Sequence, residues 1–175
     1  ENEGFINLGW RGWEGDLPTA LLSPCPNNST LNRKTIAYYD EVVDLSPKRI
    51  YPVVSYFHED PRLDKFKGSA LTGVCPYMGN EIPELSEAIV FSDFMKRNEN
   101  EGPGRGALGY TRVRPDCHPN DYYVIEPTYD FGNLPAYYTS LGSNIEQTKI
   151  YLGVYASANV TDYNEGAVFE IVPSA

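Results

Sequence analysis

The chain is predicted to be mainly β, a single antiparallel β-sandwich spanning 1–175, with an antiparallel barrel as the alternative. Three observations carry that expectation. Fourteen of the 175 residues are Tyr, many beside Val, Ile or Thr, and such side chains fit a pleated, half-buried surface while losing rotamer freedom in a helix. Fifteen Gly and fourteen Pro break the chain too often for long helices. Short segments of alternating apolar and polar residues recur from end to end. The length suits one domain, and a 41% hydrophobic content supplies its core.

Strand-like segments fall at 5–10, 35–45, 49–57, 107–114, 122–129, 134–139, 149–156 and 167–172. Within 149–156, Ile150, Leu152 and Val154 point one way while Tyr151, Gly153 and Tyr155 point the other, so both faces can be covered. In the last segment Val168, Glu170 and Val172 oppose Ala167, Phe169 and Ile171, and Asp162-Tyr163-Asn164-Glu165-Gly166 supplies the hairpin connection before it. One short helix is predicted over 83–97. Pro83 suits its first position, Glu84 and Glu87 lie early, Lys96 and Arg97 lie late, and Ala88, Phe91 and Met95 share a face. The run 88–91 reads equally well as a short buried strand. A turn capped by Asp60 is expected over 61–66, and 98–106 reads as an exposed loop.

Charge excludes one class of partner. The formal net charge is −10 and no Lys/Arg cluster exceeds two adjacent residues, so a phosphate backbone would be repelled and nucleic acid is not expected. No apolar run approaches the roughly 18 residues that span a bilayer, so no transmembrane segment is expected. Secretion is the expected localisation. Cys25, Cys75 and Cys117 each sit in a Pro-rich, turn-like context, where a disulfide could staple loops. A Cys25–Cys75 bridge would close a loop worth roughly 4 kcal/mol, although sequence does not choose among the three pairings. Sequons at Asn28 and Asn159 mark candidate glycosylation sites. The start at Glu1, without Met, fits a processed precursor or a trimmed chain equally.

Catalytic motifs are weak by comparison. Gly104-Arg105-Gly106-Ala107-Leu108-Gly109 matches a dinucleotide fingerprint in letters, but a strand pattern follows where a helix is required. Two histidines cannot make a three-His zinc site. Oxygen ligands at alternate positions of 162–166 resemble the start of a calcium loop without its later bidentate Glu. No G-x-S-x-G elbow occurs.

The aromatic residues remain. Tyr pairs place one ring on each sheet face, and Tyr and Trp are frequent anchors of interfaces. The expected function is therefore a secreted, non-enzymatic binding protein without a cofactor. It would meet an extracellular protein partner through Trp13, Tyr38, Arg105, Tyr122 and Tyr137. The alternatives are a carbohydrate-binding module, calcium-assisted or not, whose rings stack on a glycan, and an extracellular hydrolase whose acids meet only in three dimensions.

Overall fold

A computed structural model describes residues 52–96, 103–114, 121–159 and 161–174, with the backbone of two short strands at 13–14 and 17–18. The chain divides into two compact units, 1–55 with 115–119 and 56–114 with 120–175. In the first unit β1 (Trp13–Glu14) pairs antiparallel with β2 (Leu17–Pro18), Trp13 opposite Pro18. The expected strands at 5–10 and 35–45 lie outside the described residues.

The second unit is built from two antiparallel sheets. The first has the order β3 (Leu71–Tyr77), β4 (Ala88–Asp93), β5 (Ala107–Thr111), β6 (Tyr123–Ile125). The second has the order β7 (Tyr137–Ser143), β8 (Ile150–Tyr155), β9 (Gly166–Ile171). Each strand pairs with its sequence neighbour, as short connections favour. The described residues are thus mainly β, with no closed barrel among them. Among the described residues, helix is confined to one 3₁₀ turn at Pro83–Leu85, and none is long and apolar enough to cross a membrane.

Side chains from both sheets share one apolar layer. Cys75, Tyr77 and Val90 from the first sheet meet Ile150 of the second, with Leu85 from the 3₁₀ turn. Beside them Leu108 meets Tyr138, Leu152 and Val154. The two sheets draw together along β3 and β7, where glycines permit it. A Cβ at Gly73 would lie 2.4 Å from the Leu141 amide nitrogen, and one at Gly106 would lie 2.1 Å from Tyr138 Cγ. These positions tolerate only hydrogen because backbone, or the root of a ring, already fills the space.

The opposite face of the first sheet is also covered. Phe91 points away from the inter-sheet layer and meets Tyr56, Phe66 and Tyr122, with ring centroids 5.4–6.2 Å apart. Below them Asp93, fully buried, accepts hydrogen bonds from the Tyr56 hydroxyl (2.7 Å) and from the amides of Ser69 (2.8 Å) and Met95 (3.0 Å). A carboxyl group buried in that position requires such donors.

This two-sided burial corrects the helix expected over 83–97. The turn stops after Leu85, Glu87 takes φ 57°, and the chain leaves as β4. Because both faces of β4 are covered, Ala88-Ile89-Val90-Phe91 is apolar without alternation and loses the period that would mark it as a strand. β3 escaped the sequence pattern for another reason, since Gly73 and Pro76 interrupt it. As an edge strand it accommodates Pro76, whose missing N–H costs no ladder bond on the free side.

Candidate binding groove

The sheets meet at β3/β7 and stand apart at the other edge, between β6 and β9. There a groove of about 910 Å³ opens, with one wall from Leu108, Tyr110 and Ile125 and the other from Leu152, Phe169 and Ile171. Tyr138 forms part of its base, and its phenol is held above the usual range by burial and by the nearby Glu126 carboxylate. Segments 82–85 and 126–131 and the tail 172–174 form its rim.

The rim loop has a defined shape. Asp130 Oδ1 accepts the Gly132 amide at 2.7 Å, an Asx turn completed by Gly132 at φ 60°. That turn sends Phe131 beneath Arg105 and against Phe169 (5.6 Å, interplanar 84°), with Tyr129 touching both rings at 4.8 and 5.0 Å. Edge-to-face contact of this kind fixes ring orientation beyond simple burial. Tyr129 remains largely exposed and offers an aromatic surface at the mouth.

Four acids border the apolar lining. Glu126 is bound by Lys96 at 2.8 and 3.0 Å, and Glu170 by Lys149 at 2.8 Å. The Lys149 ammonium is correspondingly raised by its hydrogen bond to Glu170. Glu84 and Asp130 have no cationic partner among the described residues.

Of the residues expected to bind a partner, Arg105 and Tyr137 lie close together through the Arg105–Ala136 bridge, and Tyr122 lies among Phe66 and Phe91. Tyr122 is 0% exposed, while Tyr123 is 50% exposed, so the pair does put one ring on each face but with Tyr122 inside. Burial holds the Tyr122 phenol far above its normal range. Tyr137 is half-buried and stacks on Phe94 at 4.9 Å. Arg105 braces the rim loop, donating to the carbonyls of Leu134 and Gly132. Trp13 lies in β1, and Tyr38 lies outside the described residues, as do Asn28, Cys25 and Cys117.

Cys75 corrects the disulfide expectation for that position. It is a free thiol in the inter-sheet core, with its pKa pushed up to about 11 by burial. The adjacent Pro76 suggested a turn, but it sits within β3. A protonated, buried thiol is a packing group with little reactivity.

The connection between β8 and β9 holds Asn159 on the surface. Its side-chain carbonyl accepts the Thr161 hydroxyl at 2.9 Å, and its amide nitrogen donates to Asp162 at 2.9 Å. Asp162 also accepts from Ser157 Oγ at 2.5 Å, so the first carboxylate of the suggested calcium loop serves the turn itself. Among the described residues, no group of three or more His, Cys, Asp or Glu is placed to hold a metal ion.

Sequence reading missed the groove because its lining comes from six separated segments, each unremarkable alone. The one local signal was Tyr129-Asp130-Phe131-Gly132, an Asx–Gly turn flanked by rings. No family model, curated protein or solved structure matches the chain.

Proposed function

We propose that the protein is a secreted, non-enzymatic β-sandwich that binds an extracellular protein partner in the groove between β6 and β9. The observation that carries this reading is the union of an open apolar cleft with three interlocked rings at its mouth. Clefts of this volume, apolar with a few polar groups, are the usual form of a binding site. The acids bordering it favour binding over catalysis, since Glu126 and Glu170 are held by lysines. The sandwich assignment rests on the apolar layer shared by the two sheets.

Selection from a random-peptide display library against the immobilised protein tests the reading. Selected clones are expected to lose about tenfold or more in affinity on Phe131→Ala, roughly 1.4 kcal/mol per factor of ten, and to be unaffected by Leu63→Ala at an exposed position outside the groove lining. Clones that ignore Phe131→Ala, with the variant shown by circular dichroism to be folded, would place recognition elsewhere.

Secretion and a glycan on Asn159 belong to the same proposal. The sequon lies on an exposed turn with hydroxyl and amide already in contact. Protein recovered from the medium of secreting eukaryotic cells is expected to lose mass on treatment with a glycan-releasing amidase, and Thr161→Ala should remove that part of the shift. An unchanged mass in wild type would oppose the assignment.

A further inference from the structure

The register of β9 decides which of its backbone groups are free. The Ala156 amide donates to the Glu165 carbonyl at 2.8 Å, which makes that opposed pair a hydrogen-bonded one. Pairs then alternate along an antiparallel ladder. Ala167, Phe169 and Ile171, opposite Val154, Leu152 and Ile150, turn their amides and carbonyls toward β8. Gly166, Val168 and Glu170 turn theirs the other way. Among the described residues no strand pairs with that outer edge. The edge borders the groove, because Phe169 and Ile171 send their side chains into its wall.

We infer that the groove takes its partner as an extended strand added to the outer edge of β9, which rests on the binding reading above. A chain laid there would receive main-chain hydrogen bonds at Val168 and Glu170. Every second side chain would enter the apolar layer between Ile125 and Ile171, and the intervening ones would face out. The partner is therefore a segment alternating apolar and polar residues. Its flanking charge should be positive, because Glu84 and Asp130 have no ion-pair partner among the described residues and the whole chain bears −10. Exposed edges of this kind are the natural template for strand addition.

The test uses a synthetic peptide of alternating valine and threonine with lysine at both ends, titrated by fluorescence anisotropy. Three changes probe separate parts of the claim. Methylating the peptide nitrogens on its pairing edge removes donors and adds bulk while leaving the side chains in place. Val168→Pro removes an outward N–H that contributes nothing to the β8 ladder. Exchanging lysine for glutamate in the peptide reverses the rim charge. Each is expected to weaken binding about tenfold or more. Equal binding of the methylated peptide, together with loss on Phe131→Ala, would overturn strand addition and keep the groove. Loss on Val168→Pro and on methylation, with Phe131→Ala silent, would overturn the groove and keep the edge. Failure of the lysine peptide to bind at all, or tighter binding of the glutamate peptide, would overturn the proposed partner. The methylated peptide keeps the test decisive even if Val168→Pro fails to fold.

Discussion

Asp93→Ala is expected to destabilise the second unit by about 3–5 kcal/mol, because it strips the acceptor from several donors at once. Asp93 lies at the end of β4 with no solvent exposure. Its Oδ1 receives the Ser69 amide and hydroxyl and the Met95 amide, and its Oδ2 receives the Tyr56 hydroxyl. The residue therefore ties the segment covering one face of the first sheet to the strand beneath it. Met95 retains a second acceptor in Ser69 Oγ at 3.1 Å, so the cost falls mainly on the Ser69 amide and the Tyr56 hydroxyl. Asp93→Asn keeps one carbonyl oxygen and should cost roughly half as much. Urea unfolding reads the difference as a lower midpoint at unchanged slope. An Ala variant within about 1 kcal/mol of wild type would show that these bonds do not hold the cover in place.

Gly73→Ala should be nearly as damaging, by about 3 kcal/mol, through overpacking. The added methyl would meet the nitrogen, Cα and Cβ of Leu141 at 2.4–2.9 Å. Those are mainly backbone atoms, so relief requires the β3/β7 seam to open. Gly142 makes the contrast, since a Cβ there meets nothing within 4 Å. Gly142→Ala should be neutral or stabilising by about 0.5 kcal/mol, because it restricts the unfolded chain. Thermal melts of the two variants give the comparison directly. Similar shifts in both would contradict a close seam.

The legible part of the fold was the part with one wet face or a clear alternation. β8 and β9 follow the pattern of 149–156 and 167–172 closely, and β5 covers the first part of 107–114; β8 buries Ile150, Leu152 and Val154 on one face and keeps Tyr151 and Tyr155 half-buried on the other. β6 is shorter than 122–129 because Pro127 lies in the rim segment, and β7 runs past 134–139 to Ser143. β4 was hidden by being buried twice. β3 was hidden by Gly73, whose reason lies in Leu141, almost seventy positions away in the chain.

The site was less legible still. Counting Tyr does not say which rings face inward. That choice is made by partners distant in sequence. Tyr122 turns inside to meet Phe66 and Phe91, while Tyr129 stays at the mouth because the Asp130–Gly132 turn holds it beside Phe169. Arg105 attracts notice as a lone cation among glycines, yet its guanidinium lies 5.4 Å from the Phe131 ring and serves the loop.

Amide hydrogen exchange along β9, read residue by residue by NMR, tests the open edge most directly. The amides of Ala167, Phe169 and Ile171 should exchange slowly, and those of Val168 and Glu170 should exchange at rates near those of an unstructured chain. Slow exchange at all five positions in the free protein would mean that the edge is already occupied, and neither the open groove nor strand addition would survive it.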